Sequence, residues 1–278
     1  MVIDAFIFFN ELDLLELRLG QLDEVVDKFV FVEANSTFTG QSKPYYFTDN
    51  RARFAQWDHK ILFSPISLSQ GDGWSRERQS RELLGGIING LNLDPNYTLS
   101  FSDLDEIPNP DTLKAYTPDL GLRNLKQYTY YYNFNRLMDY GNRSWSRARI
   151  GTVSDIARRG GMQDFRGGIG DMDPNFPSLE NGGWHGSYFG SLDRIRHKVN
   201  SFSHNDMAPV LDKLSNGDLA TRVANGKDLF GREGISTGSW VDTNVVSDHR
   251  LPPYFLANRD HFKMFTESDF RENNKEIL

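Results

Sequence analysis

The chain of 278 residues has no cysteine. Disulfides and thiolate zinc sites are therefore excluded, and there is no sign of a cross-linked secreted scaffold, although this alone does not fix a compartment. Nor is there an excess of cations. Lys and Arg number 31 against 38 Asp and Glu, a net charge of −7, and a broad nucleic-acid surface needs the opposite balance. No apolar run approaches the roughly 20 residues that a membrane helix requires. The opening MVIDAFIFFNE carries neither a basic leader nor a small-residue cleavage site, so it does not read as a secretory signal. Walker and GxGxxG loops are missing, which argues against a P-loop or dinucleotide fold. No internal repeat, low-complexity tract or clean linker breaks the chain.

What is present is ordinary globular composition, with 38% hydrophobic and 25% charged residues, enough for one large α/β domain or two small ones. The aromatic stock of 20 Phe, 11 Tyr and 5 Trp suits a sugar-binding cleft and a large core equally well. Val2 to Phe9 is an apolar run of strand length, ending at Asn10-Glu11. Asn10 is a good N-cap, Asp13 favours a helix start, and Leu12, Leu15, Leu19 and Leu22 follow at helical spacing. The strand KFVFVE (28–33) completes a β-α-β unit, whose crossover implies parallel strands. Further strands are expected at 60–63 and 97–102, with helices at 74–88 and 111–116. That alternation predicts a mostly parallel sheet flanked by helices, a Rossmann-like α/β fold.

The second half is less regular. LKQYTYYYNF (125–134) reads as an aromatic, antiparallel strand and GWHGSYFG (183–190) as a short one. Residues 151–183 read as long loops, 192–202 and 207–214 as helices, and the tail from Asn258 as polar and prone to fray. A single domain over 1–278 is the simpler organisation, with an antiparallel, loop-rich C-terminal half.

The stretch LSFSDLDEIPN (99–109) delivers three carboxylates at a strand end. Asp103 and Asp105 share a face if the strand stays extended, and ligands of open parallel sheets bind beyond the carboxyl ends of the strands. Two hard carboxylates without a soft ligand favour Mn2+ or Mg2+ over zinc, with phosphate oxygens completing the shell. The plainer alternative is a solvated turn ahead of Pro108.

With IDAFIFFNELDLLELRL, VVDKFVFVEANSTFTG, SDLDEIP, NGGWHGSYFG, KDLFGR and LPPYFLAN in order along nearly the whole chain, the sequence resembles glycosyltransferase family 17. The resemblance implies a GT-A-like fold and metal-dependent, inverting transfer of N-acetylglucosamine from UDP-N-acetylglucosamine to a glycan acceptor. It also implies a nucleotide-sugar half at about 1–115 and an acceptor half at about 116–278. Asp103 and Asp105 would hold Mn2+ or Mg2+, with His185 of GWH as a third ligand. Asn10, Glu11, Glu33, Arg81 and Asp103 would contact the donor. Trp184 or Trp74 would stack on a sugar. The general base that inversion needs is left among Glu106, Glu180, Asp171 and Asp173, with Glu106 and Glu180 preferred. The animal members' membrane anchor has no counterpart here, and the first strand starts at residue 2 or 3. The expectation is therefore the cytosol of a microbe or of a virus-infected cell. A non-catalytic carbohydrate-binding protein, or a transferase using another nucleotide sugar, is the alternative. A glycoside hydrolase ranks lower, because Asp103 and Asp105 stand too close to flank a sugar ring.

Overall fold

A computed structural model of the chain describes residues 1–139, 145–167, 176–203, 207–232 and 236–278. Strand β1 (Val2–Phe8), helix α1 (Leu12–Leu22), β2 (Lys28–Ala34), α2 (Tyr46–Asn50), β3 (Ile61–Ile66), α3 (Gly73–Gly90) and β4 (Thr98–Asp103) form the first half. β1 pairs in parallel with both β2 and β4, and β2 with β3. The mostly parallel sheet is thus present where the alternation placed it.

Its strands are apolar on both faces because both faces are covered. Phe6, Phe8, Phe29 and Phe31 point into one core with Leu15 and Leu19 of α1. Ile3, Ala5, Val30 and Val32 point into the other, with Leu84 and Ile88 of α3. The residues between them alternate by the two-residue period of a strand. That alternation places Asp4, Ser100 and Ser102 on the α1 side, all fully buried.

After β4 the chain turns at Leu104-Asp105 and runs on as β5 (Glu106–Pro108), α4 (Pro110–Ala115), β6 (Arg123–Tyr131) and β7 (Arg136–Asp139). β8 (Arg149–Thr152), α5 (Val153–Arg159), α6 (Met162–Arg166) and β9 (Ser178–Ser187) follow. The stretch read as long loops therefore holds two helices and most of a strand. Its elements are short, five to ten residues each, and a window of that length shows little period. Within it, 168–175 lies outside the described residues, and with it Asp171 and Asp173. β6 is antiparallel to β7 and β8, as expected of that strand, but parallel to β9. The sheet order is β10-β7-β6-β8-β4-β1-β2-β3, where β10 is Ser236–Trp240, and β9 bridges β5 and β6. One sheet therefore joins the two halves.

Gly182-Gly183 is what lets β9 approach. Gly183 has φ +128°, and a Cβ there would lie 2.0 Å from the Ile107 carbonyl oxygen. Only glycine fits. Beyond β9, α7 (Leu192–Ser201), α8 (Ala208–Asp212) and α9 (Asn216–Ala224) pack into a third core with Tyr131, Tyr132 and Tyr188. The tail is packed down as far as Phe270, with the residues after it mostly exposed. Between α10 (Pro253–Ala257) and α11 (Glu267–Asn273), Phe262 and Phe265 are buried and ring-packed, Phe265 against Phe134 and Phe189. Phe270 of α11 joins them by packing into the third core.

Candidate functional site

The carboxyl ends of β1 and β4 open into a cleft of about 490 Å3 that collects the acidic turn, the end of β9 and α7. The turn itself is built from beneath. Arg18 of α1 is fully buried and pairs with both oxygens of Asp4 at 2.8 Å. Its Nη1 also donates to the carbonyls of Asp103, Leu104 and Glu106 at 2.8, 3.1 and 3.2 Å. Its Nη2 donates to Ser102 Oγ, whose hydroxyl donates in turn to the Glu106 carbonyl, both at 2.8 Å. A single guanidinium thus satisfies the carbonyls that a tight turn would otherwise leave unpaired.

Glu106 lies inside the same framework. It is fully buried, takes both arms of the Arg166 fork at 2.6 and 2.8 Å, and accepts from Trp145 Nε1 at 2.6 Å and from the Asp103 amide at 3.1 Å. Bidentate charge-assisted pairs of this kind are strong and geometrically fixed.

The cleft side is looser. Asp103 is 41% exposed in its side chain. It pairs with Arg166 Nη2 at 2.8 Å and stands 3.6 Å from Arg81, which is itself paired with Glu77. Desolvation pushes the Asp103 carboxyl up, but Arg166 and then Arg81 outweigh it and hold it at about 2. Asp105 accepts from Lys198 Nζ at 2.7 Å, and the same ammonium lies 3.1 Å from Glu11 Oε1. Burial opposes ionisation of Asp105, and the Lys198 charge overcomes it, so this carboxyl too titrates low. Desolvation alone would lower Lys198. Its two carboxylate partners instead raise it far above the ordinary range. His185 Nε2 is 3.9 Å from Asp105, the ring stacks on Trp145 with centroids 4.4 Å apart, and the buried Nδ1 has no hydrogen-bond partner.

Set against known proteins, residues 1–266 match the model of glycosyltransferase family 17. The chain belongs to that family. Among its relatives, the β-1,4-mannosyl-glycoprotein 4-β-N-acetylglucosaminyltransferases of Rattus norvegicus and Mus musculus are each 26% identical over an alignment 316 positions long. These alignments cover 98% of this chain and 55% of theirs. The Homo sapiens protein is 25% identical, with 98% and 56% covered. The chain therefore spans about half the length of the curated relatives it matches. Among solved structures, glucosyl-3-phosphoglycerate synthase from Mycobacterium tuberculosis, in complex with Mn2+, UDP and phosphoglyceric acid, is 13% identical, with a TM-score of 0.37. That match covers 67% of this chain and 69% of the other. A superposition this loose carries no residue roles across.

Within the family 17 chain, the cleft brings together Glu11, Trp74, Asp103, Asp105 and His185 of the residues singled out in sequence. It leaves others outside. Asn10 is not the helix cap, because α1 starts one residue later with Glu11 in that position. Glu33 is fully buried, with its oxygens spent on Lys43 and on the amides of Tyr46 and Phe47, so it presents Lys43 to the cleft and meets no ligand itself. Arg81 sits behind Asp103 with Gln163 and Glu77 as partners. Glu180 lies on the surface in an ion pair with Lys126, and Glu106 has no free oxygen, so the geometry takes both away from the role of general base. Trp184 is buried at 3% exposure in the core and offers no face to a sugar, whereas Trp74 stands 52% exposed on the cleft wall.

For a divalent ion, the cleft offers Asp103, Asp105 and His185 as candidate donors. Two are hard carboxylates, the imidazole turns Nε2 towards Asp105 at 3.9 Å, and a cation, the Lys198 ammonium, is already seated between Asp105 and Glu11. Among the described residues no three such side chains are gathered around one point. Sequence reasoning missed Arg18, Trp145, Arg166 and Lys198. Arg18 alone left a sign, as a charge within an apolar leucine helix.

Proposed function

We propose that the chain transfers N-acetylglucosamine from UDP-N-acetylglucosamine to a hydroxyl of a glycan acceptor, with inversion at the sugar carbon and with help from Mn2+ or Mg2+. One observation carries the reading. A strand-end pair of ionised carboxylates, Asp103 and Asp105, lines a cleft that also holds three cations on separate elements, Lys43, Lys198 and Arg232, beside the carboxylates Glu11 and Glu77. Membership of family 17 and the N-acetylglucosaminyltransferase relatives support the donor sugar.

Asp103, Asp105 and His185 would hold the ion, which when bound would neutralise charge growing on the diphosphate. Arg166 and Arg81 keep Asp103 ionised and oriented before any ligand arrives. Lys43 and Lys198 add positive charge where the diphosphate would lie. In the transfer, the acceptor oxygen bonds to the sugar carbon as the bond to the UDP oxygen breaks. The electron pair leaves with UDP, and the acceptor's proton goes to a carboxylate. With Glu106 and Glu180 out of reach, Glu11 and Glu77 are the cleft carboxylates that can take it. Trp74 offers an exposed ring at the mouth for the acceptor sugar.

Calorimetric titration with UDP, with and without Mn2+, tests the reading. Metal-dependent UDP binding is expected, together with label transfer from UDP-N-acetylglucosamine in an acceptor screen. UDP binding indifferent to the metal would remove its main support.

A further inference from the structure

Lys198 is a cation already lodged among the donors of the proposed metal site. We infer that it acts as a tethered counter-ion that keeps a divalent ion out of the acidic tip until a nucleoside diphosphate arrives, so that the metal binds after the nucleotide or together with it. The inference rests on the reading above and adds an order and a residue to it.

The ammonium contacts two carboxylates from two strand ends, Asp105 at 2.7 Å and Glu11 at 3.1 Å. Glu11 occupies the cap position of α1 but makes no capping hydrogen bond with its side chain. Its Oε2 accepts from the Asn10 amide at 3.2 Å, and its Oε1 is given to Lys198. Asp105 likewise gives Oδ2 to Lys198. A divalent ion taking Asp105 would meet a positive charge held on the same carboxylate, and like charges at that range oppose each other.

Two features let the ammonium leave. Its side chain is 22% exposed and lines the cleft, whereas Arg166 is 6% exposed and locked by a two-armed pair to Glu106. Lysine also presents a compact charge on a flexible stem, without the fixed fork of a guanidinium. A diphosphate entering beside it offers oxygens of higher charge than Asp105. Once Lys198 turns to those, Asp105 is released to the ion. Asp103 needs no such device, because its partners Arg166 and Arg81 approach from behind the cleft wall.

The test measures Mn2+ uptake directly, from the paramagnetic resonance signal of free Mn2+, with and without UDP. Wild type is compared with Lys198→Met, Lys198→Gln and Lys198→Arg. The glutamine variant can still donate hydrogen bonds to Glu11 and Asp105, and so guards against a methionine variant that fails to fold. Without UDP, the two neutral variants should bind Mn2+ at least ten-fold more tightly than wild type, and Lys198→Arg should stay near wild type. UDP should raise wild-type Mn2+ affinity more than it raises that of either neutral variant. Folded neutral variants that bind Mn2+ no better than wild type, while wild type takes it up with UDP, would overturn the inference and leave the proposed function standing. No uptake by any of the four proteins with UDP present would overturn both.

Discussion

The acidic turn has two sides, and they handle charge in opposite ways. Beneath it, Arg18, Asp4, Ser102 and Glu106 are fully buried, and each is held by several short hydrogen bonds. Above it, Asp103, Asp105 and Lys198 keep partial access to the cleft, and Asp105 and Lys198 are joined by a single contact of 2.7 Å. Ion pairs on the lower side have no solvent to fall back on, so losing one partner strands the other. Those on the upper side can trade partners with a ligand. The lower side sets the shape of the turn and the upper side is where exchange takes place.

The largest effect should come from attacking the lower side. Arg18→Met leaves the Asp4 carboxylate buried without its partner and the Asp103 and Leu104 carbonyls without their donor, while the Glu106 carbonyl keeps only Ser102. A stability loss of about 3–5 kcal/mol is expected from urea denaturation. Adding Asp4→Leu should recover part of that loss, because a neutral apolar pair no longer strands a charge. It should not restore transfer, because the carbonyls of the turn still lack their donor. Full recovery of both would mean that Arg18 does nothing for the site beyond balancing Asp4.

Next comes a paired test across the turn. Asp105→Asn removes one charge from the cleft side, and loss of that stabilisation should lower transfer by about 10²–10³, or ~3–4 kcal/mol, with little change in melting temperature. Glu106→Gln should do the reverse in kind, because its cost falls on folding. The amide cannot accept both arms of Arg166 together with Trp145 and the Asp103 amide, and about 1–3 kcal/mol of stability should go. An Asp105→Asn protein that unfolds, beside a Glu106→Gln protein that melts as wild type, would invert the assignment of the two sides.

These residues also mark where the sequence could be read. The parallel first half was legible because its strands are apolar on both faces and its helices repeat at 3.6 residues, both local signals. Asp103 and Asp105 stood out because carboxylates directly after an apolar strand are costly without a purpose. Glu106 misled, since the same argument brought it along, and only the fold reveals that Arg166, sixty residues on, claims it. Lys198 is one cation among several on a polar helix, and nothing local separates it from Arg194 or Arg196. Trp184 and Trp74 differ in burial through the tertiary fold alone, 3% against 52%, so the sequence offered both rings and only the fold removes Trp184. Partners supplied across long sequence distances leave no periodicity behind.

The smallest effect is a dependence on acidity, and it separates the two sides most finely. Asp103 titrates at about 2 in the fold against the ordinary 3.8. A carboxyl depressed by folding adds stability above its unfolded value, and that contribution is lost as pH falls from about 4 towards 2. Its side chain is 41% exposed, so screening should hold the contribution below about 1 kcal/mol, a small step on the acid limb. Asp103→Asn cannot ionise and should lose that step. The difference in unfolding free energy between pH 6 and pH 3 should therefore be smaller in the variant than in wild type, by no more than that amount. Were the variant to lose equal stability at both pH values, Arg166 and Arg81 would be holding the shape of the Asp103 side chain and not its charge. The upper side of the turn would then be as fixed as the lower, and the contrast between them would rest on Asp105 and Lys198 alone.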